Sequence, residues 1–371
     1  MESFRKKKRQ IIFKKEVKTV MKVMNRKSFF IIFVLIFTLV FTGCNAETTT
    51  QPQDNSVEPN QNEASQELKG DHFELLQKAT AEFLKENSFE TISTEEVYQK
   101  VVLEGDLSYF VVDVRAADAF AEGNIEGSVN IPYELTAKPN MIANLPKDKK
   151  IVVVCYSGHL AGQTTALWKM LGYDAVTMLN GMGGWKTGAG SALGQFDFPV
   201  TTEVSKTGSF NLPSLKFENV SDLQSLIIAG SQSFLNSGKG PIVNAPTLKD
   251  KLGEYFPVDI RSPQDYAKGH IEGAVNIPAQ SLAELDNLKK VPADKKVVII
   301  GYTGNDASMA VRALNQLGYD SYALFQGMRV WTNDEAINGI APASTEVVPE
   351  NPVKPLDYDL DGGGGGTASC G

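Results

Sequence analysis

Ile151-Val-Val-Val-Cys155-Tyr-Ser-Gly158 is answered, 146 residues later, by Val297-Val-Ile-Ile-Gly301-Tyr-Thr-Gly304. Each is an apolar run that ends in the same short turn, and the second copy lacks the thiol. The offset is constant over Asp113/Asp259, Arg115/Arg261, Gly123/Gly269, Asn130/Asn276, Pro132/Pro278, Gly172/Gly318, Gly181/Gly327 and Trp185/Trp331. A single repetition of this length is a tandem pair of whole domains, not a solenoid. The pair Phe83-Leu84 and Phe234-Leu235 lies 151 apart, so the second copy is five residues shorter ahead of its Asp259 strand.

Around that core the pattern alternates between strand and helix. Tyr109 to Asp113, Ser128 to Ile131, Lys150 to Cys155 and Asp174 to Leu179 read as short buried strands. Phe73 to Glu86 and Ala161 to Leu171 read as helices, and Ser93-Thr94-Glu95-Glu96 as a capped helix start. In the second copy the strands fall at Tyr255 to Asp259, Ala274 to Ile277, Lys296 to Gly301 and Asp320 to Phe325. Continuously apolar strands separated by helices predict an α/β fold, each copy a central parallel sheet with helices on both faces. The division expected is 71–200 for the first domain and 201–340 for the second.

The flanks read differently. The first 43 residues hold 11 of the 36 basic side chains and only Glu2 and Glu16 of the 44 acidic ones, and an apolar run spans Phe29 to Phe41. That run is short for a membrane span, which needs about 20 residues, but suits a secretory signal. It leads into Phe41-Thr-Gly-Cys44, which resembles a bacterial lipoprotein box with Cys44 as lipidation site. The expectation is therefore a signal peptide at 1–43 and an extracytoplasmic protein held by a lipid on the cell membrane. Residues 44–70 are poor in large apolar groups and predict a flexible tether. Residues 341–371, with Pro349, Pro352, Pro355, Gly362 to Gly366 and then Cys370, predict a flexible tail. Beyond residue 43 the formal charge is −17, which argues against a nucleic-acid partner.

Three cysteines this far apart form neither a disulfide framework nor a zinc site, and His72, His159 and His270 are equally scattered. Neither a metal nor a cofactor is expected. Cys155 is the informative one, because ligands of open parallel sheets gather beyond the carboxyl ends of strands. Gly158 permits a tight backbone path that turns N–H groups inward, and a helix amino end follows. Both lower a thiol's pKa and cradle an anion attached to it. A buried core cysteine is the competing reading.

Asp113-Val-Arg115, Gly123-Asn-Ile-Glu-Gly-Ser-Val-Asn-Ile-Pro132 and the closing Gly181 to Trp185 together resemble a rhodanese domain. The second copy resembles it further, with Asp259-Ile-Arg261, Gly269-His-Ile-Glu-Gly-Ala-Val-Asn-Ile-Pro278 and Gly327 to Trp331. The resemblance implies sulfur transfer: a Cys155 thiolate takes sulfane sulfur from a small donor, is held as a persulfide by loop N–H groups, and yields it to a thiol or cyanide. It makes Tyr156, Ser157, Gly158, His159, Leu160 and Ala161 the binding loop, with Asp113 and Arg115 as supporting, chiefly structural, residues. The six-residue loop from Cys155 through Leu160 matches sulfurtransferases; the related phosphatases have one residue more and a closing Arg.

The loop lacks the Arg or Lys common in the family, so thiosulfate, a persulfide and a polysulfide all stand as donors. His159 could supply charge near the sulfur or sit in solvent. Gly301 leaves the second domain without a nucleophile, and Asp306 would repel an anion there. Cys370 is a candidate acceptor thiol at the end of the tail. A noncatalytic persulfide carrier, sensor or protein-binding module is the alternative to an enzyme.

Overall fold

The computed structural model describes residues 68–86, 89–190, 195–338 and 356–361. The expected signal segment, Cys44, the tether and Cys370 lie outside them. Within the described residues no helix is long and apolar enough to cross a membrane.

Each repeat is built on a five-stranded sheet whose neighbours all run parallel. In the first the strands are β1 (Thr91–Ile92), β2 (Tyr109–Asp113), β3 (Val129–Asn130), β4 (Lys150–Val154) and β5 (Ala175–Met178), in the order β1-β5-β4-β2-β3. In the second they are β6 (Ile242–Val243), β7 (Tyr255–Asp259), β8 (Val275–Asn276), β9 (Lys296–Ile300) and β10 (Asp320–Leu324), in the order β6-β10-β9-β7-β8. The edge strands β1 and β6 are additions to the sequence reading. Two residues are too few to carry a period, and only their pairing with β5 and β10 defines them.

Four longer helices matter for the site: α1 (His72–Glu86), α2 (His159–Met170), α3 (Leu223–Asn236) and α4 (Asn305–Gln316). Alternate residues of β4 face opposite ways. Val152 and Val154 pack with Met178, Met182 and Trp185 in a core belonging to the first repeat, while Ile151, Val153 and Cys155 enter a second core. That second core contains side chains of both repeats, from Leu76 and Leu167 to Leu226, Val297 and Leu314. The two repeats thus share their largest apolar cluster.

The connections are exchanged as well. The Gln77 side chain on α1, ahead of the first repeat, donates to the Ala283 carbonyl of the second at 2.6 Å. Gln232 on α3, ahead of the second repeat, donates to Ala137 of the first at 3.0 Å.

A strap follows the same rule. Phe196 and Phe198 donate their N–H groups to Val330 and Trp331, Thr201 bridges His270 in both directions, and the Trp331 indole donates to Pro199. The homologous contacts recur 160 residues on, where Leu356 and Tyr358 donate to Gly184 and Trp185, Asp361 bridges Asn124, and the Trp185 indole donates to Asp359. Tyr358 also stacks on Tyr98 with ring centres 3.9 Å apart. Within the span expected as a free tail, residues 356–361 therefore lie bonded to the first repeat.

Candidate functional site

Cys155 follows the carboxyl end of β4, 2% exposed. Its Sγ accepts the Gly158 N–H at 3.2 Å and the Ala161 N–H at 3.4 Å. The Ala161 N–H belongs to the first turn of α2, where amides have no partner within the helix. Gly158 caps that helix at φ +91°, a conformation that favours glycine. On the other side Met182 donates to the Cys155 carbonyl at 2.8 Å. This close approach requires Gly181, because a Cβ there would strike that carbonyl. The result is a sulfur at the focus of two N–H dipoles, a setting that favours negative charge on it.

The second repeat retains the cradle and fills it differently. Asp306 turns its carboxylate back to accept N–H bonds from Tyr302 at 2.9 Å, Gly304 at 3.1 Å and Ala307 at 2.9 Å. Gly304 and Ala307 correspond to Gly158 and Ala161, so the same two amides that meet sulfur in one repeat meet a carboxylate in the other. Burial pushes the Asp306 carboxyl up from its usual value, against the lowering effect of these three amides. The side chain expected to repel an anion occupies the anion's place.

A Cβ on Gly301 would collide with the Asp306 carboxylate. Gly301→Cys alone should therefore stay inert. Gly301→Cys with Asp306→Leu, which copies the first loop's Leu160, should gain a reactive thiol. In a Cys155→Ser background, the iodoacetamide alkylation rate of residue 301 checks this, and an increase on the order of tenfold or more over the single variant is expected.

Asp113 and Arg115 form a buried two-pronged pair, with Arg115 Nη2 2.7 Å from Asp113 Oδ2 and also 2.6 Å from the Gly123 carbonyl. Asp259, Arg261 and Gly269 repeat this arrangement. The same ties thus join strand to loop in both repeats, including the one without the cysteine. Arg115 still supports the site, since its guanidinium lies 5.4 Å from the centre of the Tyr156 ring. The counterpart Tyr302 is locked by Asp265, hydroxyl to carboxylate at 2.5 Å. At the position matching Asp265 the first repeat has Ala119, and Tyr156 there is only half-buried.

His159 is neither a charge beside the sulfur nor a solvated side chain. It is fully buried, its ring stacks on Phe325 of the second repeat at 4.6 Å, and Nε2 accepts the Gln326 N–H at 3.0 Å. That bond leaves the proton on Nδ1, 3.1 Å from Ser157 Oγ. Burial, followed by nearby Arg329, pushes its pKa down to about 3. The residue is a neutral pin between repeats.

The consequence for pH has a definite sign. The unfolded chain takes up a proton near pH 6.5 that the folded chain refuses until about pH 3, so stability is lost as pH falls through that window. The slope from this group is about 1.4 kcal/mol per pH unit. His159→Asn, which copies Asn305, should flatten the difference between urea midpoints at pH 7 and pH 5.

Leu160 is half-buried and packs on the shared core, and Ser157 is buried. Apart from Cys155, the loop therefore offers mainly backbone to a ligand. Among the described residues no group of three or more His, Cys, Asp or Glu side chains could hold a metal ion.

The model of the rhodanese-like domain family matches residues 93–187 and 244–334. The chain is 25% identical over 132 residues to the adenylyltransferase and sulfurtransferase uba4 of Ogataea parapolymorpha, covering 36% of this chain and 31% of that protein. It is 37% identical over 75 residues to the thiosulfate sulfurtransferase GlpE of Pseudomonas paraeruginosa, covering 20% of this chain and 66% of that one. Of the curated relatives it matches, the chain thus spans about a third of the first and just under two thirds of the second. Among solved structures, a rhodanese-related protein from Thermoplasma volcanium is 30% identical, covering 25% of this chain and 90% of that one, with a TM-score of 0.24. A thiosulfate sulfurtransferase from Pseudomonas aeruginosa is 19% identical over 75% of this chain and 50% of its own, with a TM-score of 0.28.

Proposed function

For a chain that belongs to the rhodanese-like domain family, we propose the function of a sulfurtransferase working through a persulfide on Cys155. The observation that carries this reading is the pair of amides on Sγ, matched by the pair that holds the Asp306 carboxylate in the other repeat. A cradle that binds a carboxylate in one copy suits an anionic sulfur in the other.

In the first step the Cys155 thiolate attacks the outer sulfur of the donor. A sulfur–sulfur bond forms, the donor's own sulfur–sulfur bond breaks, and its electron pair leaves with the remainder, which is sulfite when the donor is thiosulfate. The terminal persulfide sulfur then carries the negative charge, stabilised by the loop amides. In the second step cyanide or an acceptor thiolate attacks that terminal sulfur, and the electron pair of the persulfide bond returns to Cys155 as thiolate.

The loop has neither Arg nor Lys and its His159 is buried and neutral, so persulfide or polysulfide donors fit as well as thiosulfate. Cys370 is the acceptor thiol we assign within the chain. At Asp361 the strap bonds Asn124, next to the Gly123 carbonyl that Arg115 holds. The nine residues from there to Cys370 span at most about 30 Å when extended. The Phe41-Thr-Gly-Cys44 box supports lipid attachment at Cys44 and a site outside the cytoplasmic membrane. The burial of Cys155 favours a second reading, a carrier that stores a persulfide without rapid turnover.

The test is thiocyanate production from cyanide with thiosulfate, a small-molecule persulfide and polysulfide in turn. Turnover with at least one donor supports the enzyme. A persulfide that forms with every donor and is never released to cyanide supports the carrier.

A further inference from the structure

Arg312 projects from α4 into the shared core with no exposure, and among the described residues none of its Nε, Nη1 and Nη2 atoms has a hydrogen-bond partner. Its guanidinium rests on two rings, with its carbon 5.3 Å from the centre of Tyr133 and 5.2 Å from that of Phe234. Rings soften the burial of a cation without satisfying its N–H groups. Burial lowers the Arg312 pKa, and the one effect opposing it comes from Tyr133; no described carboxylate contributes.

The neighbouring polar groups are left in the same condition. The Tyr133 hydroxyl donates to Gln163 Oε1 at 2.6 Å, which leaves Gln163 Nε2 buried and without an acceptor. A guanidinium lying over the Tyr133 ring and an amide bonded to the Tyr133 hydroxyl, one from each repeat, thus have no acceptor for these donors among the described residues. Uncompensated charge in an apolar core is costly, and the usual remedy is an anion or an acceptor.

The duplication shows that this is not a general demand of the interface. At the positions 146 residues away from Tyr133, Gln163 and Arg312 stand Ala279, Met309 and Ala166, none of which bears charge or a side-chain donor. The polar set exists on one side of the pseudo-symmetric pair only. It is the side of the cysteine repeat: Gln163 lies two residues after Ala161, whose amide meets Sγ.

We propose that Arg312 and Gln163 form a buried site for one small monovalent inorganic anion, of chloride size, held between the two repeats. The anion supplies the acceptor that both side chains lack, and by bridging α2 and α4 it ties the second repeat to the helix that cradles Cys155. Nothing in the site depends on sulfur transfer, so it stands or falls separately from that function.

The full chain is unfolded thermally in sodium gluconate, whose anion is too large for the site, and then with chloride replacing gluconate at constant ionic strength. Saturable chloride stabilisation is expected, about 2–4 °C in the midpoint, and it should vanish in Arg312→Met. Should that variant not fold, Gln163→Met, the residue of the other repeat, is expected to weaken the dependence. A crystal grown in bromide gives an independent reading, with an anomalous peak between Arg312 and Gln163. Equal midpoints in both salts with no bromide peak would overturn the proposal, as would a chloride dependence that persists undiminished in Arg312→Met.

Discussion

Cys155→Ser is expected to lower cyanide-dependent turnover on the order of 10³-fold or more with every donor, leaving the fold intact. The side chain is small and its hydroxyl can take the same two amide bonds now made at 3.2 and 3.4 Å, so packing changes little. What is lost is the ability to hold sulfur covalently, and the second repeat cannot make up for it: position 301 is glycine and Asp306 fills the cradle above it. A residual rate close to that of the unsubstituted chain would mean that sulfur moves elsewhere. Circular dichroism on the same sample separates loss of chemistry from loss of structure.

The largest effect on stability is expected at Arg261. Its guanidinium meets both oxygens of Asp259, the Gly269 carbonyl at 2.7 Å and the Ile337 carbonyl at 2.9 Å, with no side-chain exposure on either member of the ion pair. Arg261→Met strands a buried carboxylate and two carbonyls, a change that costs about 3–5 kcal/mol. A drop in the unfolding midpoint on the order of 10 °C follows. Arg115→Met should cost somewhat less, because its ion pair is slightly more exposed than that of Arg261. If the scanning-calorimetry order of the two variants were reversed, the weight placed on the complete burial of the Arg261 pair would be wrong.

Much of this was legible in the residues themselves. The constant offset of 146 gave two copies, continuously apolar strands gave parallel sheets, and Cys155 ahead of Gly158 pointed to amides on sulfur. Long-range partners were not legible. His159 looks like any loop histidine until Phe325 and Gln326 arrive from 166 and 167 residues away. Arg312 reads as one basic residue on an ordinary helix, and only the packing of Tyr133 and Phe234 around it makes it unusual.

Asp306 stands out in the sequence as an acid where an anion would bind, yet its fold-back onto Tyr302, Gly304 and Ala307 depends on backbone directions that composition does not carry. The strap had a signal that could have been read. Phe196-Asp-Phe198 and Leu356-Asp-Tyr358 share a pattern at an offset of 160, but that offset differs from the main repeat and the second segment lies in a stretch rich in proline and glycine.

The central claim is that covalent sulfur chemistry belongs to one cradle of the two. Peptide mapping by mass spectrometry, after brief exposure of the full chain to a sulfur donor, addresses it most directly. The expected result is the mass gain of one sulfur on the peptide containing Cys155, removed on adding cyanide. Turnover in a chain whose Cys155 peptide never gains sulfur would contradict the account.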